Sequence, residues 1–230
     1  KKMADIGIEC EVHELAQDVS QQDFEAEFNK INSDKKVHGI LMFRPLPKHL
    51  DEGAVLSVIS PEKDSDCMCD VNIAKVFSGD LSGYPPCTAQ AVIEMLDYYK
   101  IELTGKRVTL VGRSMVVGKP LAMLLLKRNA TVTMCHTRTK DLAGTCRSAE
   151  ILIAAAGKAR MVTADMVSEG AIVVDVGINV DENGVLCGDV DYDEVEKKAL
   201  YISPVPRGVG SITTSVLAKH VLRGAGAKFN

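Results

Sequence analysis

The sequence contains no tryptophan, and phenylalanine and tyrosine together make up only 4% of its 230 residues. Its formal net charge is -4, so basic residues are not in excess. Without a basic surface or aromatic side chains for base stacking, we expect no binding to nucleic acid. No apolar run reaches the roughly 18 residues of a membrane-spanning helix, and no signal peptide is recognisable. We therefore expect a soluble, cytoplasmic protein that does not bind membranes. The chain starts at Lys1 rather than Met, so the question whether it is an intact gene product or a fragment of a longer one stays open at this point.

Cysteine is present but lacks the pattern of a disulfide framework or a zinc site. An odd, scattered set of cysteines predicts reduced thiols that are buried as small apolar residues. Cys67 and Cys69 form only a C-x-C pair with no histidine nearby, so we expect no metal. The seven cysteines are Cys10, Cys67, Cys69, Cys87, Cys135, Cys146 and Cys187.

Continuous apolar runs alternate with amphipathic stretches along the chain. Runs that do not alternate in polarity are typical of strands buried on both faces of a parallel sheet, with helices covering it. The pattern therefore predicts an α/β protein. The predicted strands are residues 37–43, 107–111, 131–135, 151–155 and 171–176, and the predicted helices are residues 89–100, 118–128, 164–168 and 212–223.

Proline and glycine cluster at two places. The turn-rich stretch Gly83-Tyr-Pro-Pro-Cys-Thr88 predicts a domain junction, since Thr88 can cap the helix that follows. The second cluster, Ser203-Pro-Val-Pro-Arg-Gly-Val-Gly-Ser211, precedes the last predicted helix. It indicates either a shaped loop that faces a ligand or a plain linker.

A strand, a glycine turn and a helix follow one another from Val108 to Pro120. Gly112 permits a tight turn, free amides at the helix start can meet a phosphate, and Gly118 lets the helix pack closely on the sheet. This order is typical of nucleotide binding, although the pattern G-x-S-x-x-V-G-x-P departs from G-x-G-x-x-G and is also compatible with a purely structural turn.

The residues at the end of the predicted strand 131–135 indicate which nucleotide the protein binds. Residues Thr131 to Thr139 contain no acid to meet a free ribose 2′-hydroxyl. Arg113 and Arg138 could instead meet a 2′-phosphate, which favours NADP over NAD. The alternative is that both arginines are solvated surface residues.

Seven motifs follow one another along the chain: Gly39-Ile-Leu-Met-Phe-Arg-Pro-Leu-Pro47, Pro61-Glu-Lys-Asp-Ser-Asp66, Pro86-Cys-Thr88, Gly112-Arg-Ser-x-x-Val-Gly-Lys-Pro120, Asp175-Val-Gly-Ile-Asn179, Gly188-Asp-Val190 and Pro204-Val-Pro-x-Gly-Val-Gly210. Together they resemble the bifunctional methylenetetrahydrofolate dehydrogenase/methenyltetrahydrofolate cyclohydrolase family. The resemblance implies a Rossmann-type parallel-sheet NADP domain, residues 88–204, and a smaller α/β folate-binding and catalytic domain, residues 1–87. Residues 205–230 would form a ligand loop and a C-terminal helix that returns to the first domain.

The resemblance also implies roles for single residues. Asp66 matches the acid that binds the pterin ring, and a carboxylate can accept two hydrogen bonds from an amino-pyrimidine edge. Alternatively, Asp64 or Asp66 only caps the next segment. By the resemblance, Asp66 is the implied catalytic residue as well as a substrate ligand. The implied substrate-binding residues are Met42, Phe43, Arg44, Asp66, Pro206, Gly208, Val209 and Gly210, and the implied cofactor-binding residues are Gly112, Arg113, Ser114, Thr137 and Ile178.

The sequence departs from the family in ways that bear on its second activity. Alignment on Gly7 places the family's catalytic lysine just upstream of Lys1, and Phe43 stands where the family has the glutamine that assists this lysine. Phenylalanine can neither donate nor accept a hydrogen bond. We therefore expect the dehydrogenase activity, with cyclohydrolase activity if the gene product supplies the lysine.

Other questions stay open at this point. Arg207 replaces a family glycine, and either binds an anionic part of a substrate or points to solvent. The competing functional hypothesis is a catalytically degenerate folate- or nucleotide-binding paralogue. The family commonly forms homodimers, which the resemblance implies here too.

Overall fold

The computed structural model describes residues 2–228 and divides the chain into two compact units. The first unit consists of Lys1–Pro85 and Thr214–Asn230, and the second unit is Pro86–Thr213. Within the described residues, no helix is both long enough and apolar enough to span a membrane.

The first unit is built mainly from helices around a small apolar core. A serine begins its longest helix, where the Ser20 side chain accepts a hydrogen bond from the amide of Asp23 and so satisfies a free helix N–H. The core residues are Phe28, Ile40, Val55, Ile59, Met68 and Cys69. The helices that precede the second unit are α1 (Lys2–Asp5), α2 (Gln21–Ser33), α3 (Glu52–Leu56) and α4 (Asp70–Ser78).

The prediction of a strand over residues 37–43 is wrong. Only Ile40 pairs, in a single parallel bridge with Asp64. The partner segment forms a turn over residues 61–63, so it presents too little extended backbone for a longer ladder.

The elements of the second unit, with the last helix, are α5 (Cys87–Tyr98), β1 (Arg107–Val111), α6 (Gly118–Lys127), β2 (Thr131–Cys135), α7 (Leu142–Arg147), β3 (Ile151–Ala154), β4 (Ile172–Asp175), β5 (Asn179–Val180), β6 (Leu186–Cys187), α8 (Tyr192–Val195), β7 (Tyr201–Ile202) and α9 (Val209–Gly224). Five of the strands form an all-parallel sheet with the order β2-β1-β3-β4-β7. Its apolar strands β1 and β3 lie inside the sheet, as their continuous apolar sequences predict. A separate antiparallel pair, β5 and β6, follows β4.

The predicted helix over residues 164–168 is also wrong, because only a short 3-10 turn, Ala164–Met166, forms there. Val167 is extended, with φ −118° and ψ 133°, and its side chain is buried in the core of the second unit. Burial of Val167 in this conformation ends the helical turn.

The last helix, α9, packs against the first unit over its later residues. A Cβ built on Gly39 would lie 2.7 Å from the Val221 side chain, so only glycine allows this approach. His220 Nδ1 donates to the Ser65 carbonyl at 2.9 Å. The predicted return of the C-terminal helix to the first domain is thereby confirmed.

Candidate functional site

The sheet of the second unit changes its direction of strand order between β1 and β3. In open α/β sheets, ligands bind beyond the carboxyl ends of the strands at such a point. Gly112 follows β1 there with φ +131°, and a Cβ on it would lie 2.1 Å from the Ala155 carbonyl oxygen just after β3. The two strand ends therefore approach closely only because residue 112 is glycine.

The turn from β1 into α6 is held by Ser114. Its Oγ accepts hydrogen bonds from the amides of Val117 (3.1 Å) and Gly118 (3.4 Å). Gly118 is buried, and a Cβ on it would lie 2.4 Å from the Gly112 carbonyl oxygen. At both Gly112 and Gly118, a side chain would therefore clash with backbone atoms, which explains why each residue is glycine.

Two cationic side chains follow neighbouring strands at this edge. Val111 of β1 is in register with Cys135 of β2, so Arg113 and Arg138 both lie beyond the same end of the sheet. Both residues are exposed, and neither guanidinium forms an ion pair with any described residue. Thr137, which is also exposed, lies on the same loop. These donors fit a phosphate monoester, whereas a ribose with two free hydroxyls would call for an acid.

The end of β4 carries a buried carboxylate. Asp175 accepts hydrogen bonds from the amides of Gly177 (2.9 Å), Asp189 (3.0 Å) and Val190 (2.9 Å). Burial raises the pKa of Asp175, and these three hydrogen bonds oppose that shift. Ile178, three residues after Asp175, is 69% exposed, as expected for an apolar surface that meets a ligand.

The proline- and glycine-rich loop is attached to the same strand end. The amide of Asp175 donates to Ser203 Oγ at 2.8 Å, and Ser203 is buried at the start of the loop. A Cβ on Gly210 would lie 4.0 Å from the Ile178 side chain, so the loop brings two of the predicted site residues together. Arg207, with φ +78°, occupies the left-handed region that a glycine would adopt without strain.

Gly208, Val209 and Pro206 shape the backbone of this loop. A Cβ on Gly208 would lie 2.3 Å from the Pro204 carbonyl oxygen, so the loop folds back on itself there. Val209 is buried and begins α9. Pro206 is preceded by a cis peptide bond.

A buried aspartate organises the loop that carries Asp66 in the first unit. Asp64 is 0% exposed and accepts hydrogen bonds from the amides of Met68 (2.8 Å) and Cys69 (2.9 Å) and from Asn72 Nδ2 (2.9 Å). The sequence alone leaves open whether Asp64 or Asp66 caps the next segment. Asp64 has this role, since its carboxylate accepts hydrogen bonds from the amides just before α4. Asp66 lies on the same loop and is partly exposed.

Phe43, which stands where the family has glutamine, and its neighbours Met42 and Arg44 differ in their surroundings. Met42 packs against the core of the first unit, and Arg44 forms an ion pair with Glu52. Phe43 is 83% exposed. Such exposure is unusual for phenylalanine and leaves its ring available to a ligand.

Two cysteines in the Asp66 loop are not activated thiols. Burial raises the pKa of Cys69 to about 11, and burial followed by the charge of Asp64 raises the pKa of the Cys67 thiol further. Thiolate chemistry at neutral pH is therefore disfavoured. Among residues 2–228, no group of three or more potential metal ligands comes together.

Two family models match the chain. Residues 1–66 match the catalytic domain of tetrahydrofolate dehydrogenase/cyclohydrolase, and residues 86–229 match its NAD(P)-binding domain. The chain belongs to the tetrahydrofolate dehydrogenase/cyclohydrolase family.

Relatives of this family resemble the chain over nearly all of its length. The bifunctional protein FolD of Clostridioides difficile is 56% identical, covering 97% of this chain and 78% of that protein. The structure of the FolD dehydrogenase/cyclohydrolase from Campylobacter jejuni superposes with a TM-score of 0.95 at 42% identity, over 97% of this chain and 79% of that one. The Trypanosoma brucei enzyme, solved with NADP and an inhibitor, gives 0.90 at 39% identity over 96% and 78%.

Membership of this family confirms the resemblance stated from the motifs, the α/β fold class and the assignment as an enzyme with a nicotinamide-nucleotide domain. It leaves the roles of single residues as predictions. Sequence reasoning missed the structural roles of the buried aspartates Asp175 and Asp189, although both stand in motifs that carry the resemblance. His220, which no sequence motif singles out, is buried, and its ring donates a hydrogen bond to the carbonyl of Ser65, next to Asp66.

Proposed function

We propose that this protein is an NADP-dependent 5,10-methylenetetrahydrofolate dehydrogenase that also has methenyltetrahydrofolate cyclohydrolase activity. Its membership of the tetrahydrofolate dehydrogenase/cyclohydrolase family carries the proposal. The guanidiniums of Arg113 and Arg138 lie beyond β1 and β2, form no ion pair with any residue that the structure describes, and support NADP as the nucleotide. The proposed domains are residues 1–87 for folate and catalysis, 88–204 for NADP, and 205–230 for the ligand loop and the returning helix.

The chemistry is a hydride transfer followed by a hydrolysis. NADP, when bound, supplies the oxidised nicotinamide that accepts a hydride from the methylene carbon, which becomes the methenyl carbon. Water then adds to that carbon, a proton leaves, and one of its two carbon–nitrogen bonds breaks to give 10-formyltetrahydrofolate. The protein's part is to align the two reactants and to hold or move the proton.

On the nucleotide side, the proposed contacts divide between the two ends of the cofactor. Gly112 and Ser114 shape the phosphate turn, Arg113 and Thr137 hold the adenosine phosphate region, and Ile178 contacts the nicotinamide half. Arg138 is a further candidate for the 2′-phosphate. The exposed side chain of Ile178 and the exposed guanidiniums support these roles.

On the folate side, the proposed pterin ligand is Asp66. Its loop is rigidly held by Asp64, which supports a fixed position for the carboxylate. The other proposed substrate-binding residues are Met42, Phe43, Arg44, Pro206, Gly208, Val209 and Gly210.

Cofactor choice is tested with arginine variants. We expect Arg138→Ala and Arg113→Ala each to raise the KM for NADP by about tenfold and to leave the KM for NAD unchanged, since a charge-assisted phosphate contact is lost. Lys140→Ala, which removes an exposed cation from the same loop, is the control. Unchanged KM values in both arginine variants would mean that the guanidiniums are only solvated.

The two activities are measured separately on the natural gene product. NADP reduction with methylenetetrahydrofolate follows the first step, and loss of methenyltetrahydrofolate follows the second. We expect Phe43→Gln to speed hydrolysis several-fold, because glutamine restores a hydrogen-bonding side chain, and Phe77→Gln, at another exposed phenylalanine, to have no effect. Binding of both ligands without turnover would favour the degenerate paralogue.

Location and assembly complete the proposal. Among the described residues no cysteine forms a disulfide, and six of the seven are buried, which supports a reducing compartment such as the cytoplasm. We propose a homodimer from the family resemblance, and analytical ultracentrifugation of the purified protein tests it. A monomer at micromolar concentration would contradict this part alone.

A further inference from the structure

A second buried aspartate lies at the nucleotide-binding edge of the second unit. Asp189 is 0% exposed, and its carboxylate accepts hydrogen bonds from three consecutive amides: Ala156 (2.6 Å), Gly157 (2.9 Å) and Lys158 (2.8 Å). Asn179 Nδ2 donates a fourth at 2.9 Å. Consecutive amides that converge on one anion form a nest, and here the protein's own carboxylate fills it.

The four donors come from two places that flank the proposed cofactor site. The amides of residues 156–158 follow Ala155, whose carbonyl lies against Gly112 of the phosphate turn. Asn179 directly follows Ile178, the proposed nicotinamide contact. One carboxylate therefore connects the backbone after β3 with the backbone after β4.

The neighbouring glycines fit this arrangement. A Cβ on Gly177 would lie 2.3 Å from the Asp189 side chain, and a Cβ on Gly188 would lie 1.9 Å from Asp175 Oδ2. Asp175 in turn binds the amide of Asp189 at 3.0 Å and so fixes the position of that residue. The motifs Asp175-Val-Gly-Ile-Asn179 and Gly188-Asp-Val190 thus form one hydrogen-bonded unit.

The position of Ile178 depends on these contacts more than on core packing. Its side chain is 69% exposed, so the apolar core does not fix it. The hairpin of β5 and β6 that follows is only two residue pairs wide and lies outside the five-stranded sheet. The Asp189 carboxylate has four donors for its roughly four lone-pair sites, so it has no capacity left for a substrate.

We infer that Asp189 is a positioning residue, which holds the backbone of Ile178 through Asn179 so that the nicotinamide half of the cofactor binds in one orientation. The inference rests on the proposed function for the identity of that cofactor. The adenosine half, which meets the phosphate turn and the arginines, does not depend on the hydrogen bond from Asn179.

The experiment compares binding of two probes, NADP and 2′,5′-ADP, which has the adenosine half without the nicotinamide. The test variant Asn179→Ala removes one donor and leaves the three backbone hydrogen bonds of Asp189 in place. Asn183→Ala, an exposed asparagine in the same hairpin, is the matched control. Asp189→Asn is the second variant, and its binding of the same two probes is compared once circular dichroism shows that it is folded. We expect it, like Asn179→Ala, to weaken NADP binding more than 2′,5′-ADP binding.

We expect Asn179→Ala to weaken NADP binding about tenfold and to change 2′,5′-ADP binding by less than about twofold, because a hydrogen bond to a charged group has been lost on one side only. Its kcat should fall as well, whereas Asn183→Ala should match the unchanged protein. Equal binding of NADP by Asn179→Ala and the unchanged protein would overturn the inference, as would equal weakening of both probes. Turnover by the unchanged protein tests the proposed function separately, since the positioning role is judged from binding.

Discussion

Both units contain fully buried aspartates that collect backbone amides, but the surroundings of these aspartates differ. Asp64 of the first unit lies where a single bridge, between it and Ile40, replaces a strand ladder. Asp175 and Asp189 of the second unit lie just beyond the ends of a five-stranded sheet. In the first unit a carboxylate holds a loop in place of regular structure, whereas in the second the carboxylates extend regular structure into the loops.

The difference follows from how backbone groups are satisfied. Inside the parallel sheet, neighbouring strands pair nearly all N–H and C=O groups, and side chains are needed only where the strands end. Around Asp64 no ladder is available, so the amides of Met68 and Cys69 depend on one side chain. We therefore expect the two regions to fail in different ways when a single residue is changed.

The largest effect is expected at the sheet edge of the second unit, with Gly112→Ala. The new Cβ would lie 2.1 Å from the Ala155 carbonyl oxygen, and backbone on both sides must move. We expect the free energy of unfolding to fall by about 4 kcal/mol and NADP binding to be lost. Urea denaturation and NADP titration measure the two effects.

Gly105→Ala is the matched control for this variant. Gly105 also has a positive φ, +73°, but apart from its two chain neighbours no described residue has an atom within 4 Å of where its Cβ would lie. Its substitution should cost about 1 kcal/mol from backbone strain alone. Similar losses for both variants would show that the close approach of Gly112 to Ala155 does not matter.

A smaller but still large effect is expected in the first unit, with Asp64→Ala. Two amides and Asn72 Nδ2 would lose their acceptor in a buried place, which should lower the free energy of unfolding by about 3 kcal/mol. The KM for folate should rise because the Asp66 loop loosens, while 2′,5′-ADP binding stays the same. The control is Asp70→Ala, an exposed acid in the first turn of α4. If Asp64→Ala and Asp70→Ala unfold at the same urea concentration, Asp64 does not hold the loop.

The comparison also explains which parts of the fold the sequence could predict. The strands at residues 107–111 and 131–135 were predicted with their observed bounds, because each lies in the sheet and its composition reflects that environment. Residues 37–43 have a similar apolar composition but pair only at Ile40. Composition indicates burial, and it cannot say whether a partner with free backbone groups will lie alongside.

The same limit applies to the candidate site. Gly112, Arg113 and Ser114 are predictable because the turn they form is local, so strand, glycine and helix follow one another in sequence. Asp189 binds amides more than thirty residues earlier in the chain. No local pattern names such partners, since they meet only after β3 and β4 have paired.

The smallest expected effect is on the pH dependence of stability, and it comes from Glu150. This carboxylate contrasts with the buried Asp175 in the same unit. The hydrogen bond from Lys106 Nζ (2.9 Å), followed by that from the Arg107 amide (3.1 Å), holds the pKa of Glu150 below its usual range. The stabilisation from Glu150 is therefore present above its unfolded-state pKa and is lost as the pH falls through the lower folded-state pKa. Buried Asp175 has a raised pKa, so its contribution changes in the opposite direction.

We accordingly expect Glu150→Gln to lower the Tm by about 2 °C at pH 7, with the difference from the unchanged protein disappearing near pH 3. Calorimetry across that pH range measures it, with Glu169→Gln, at an exposed glutamate without an ion pair among the described residues, as the control. A difference that persisted at pH 3 would come from packing of the Glu150 side chain rather than from its charge. In that case steric packing would stabilise the start of β1, as it does the turn after β1. The ion pairs of Glu150 with Lys106 and Arg107 would then contribute little.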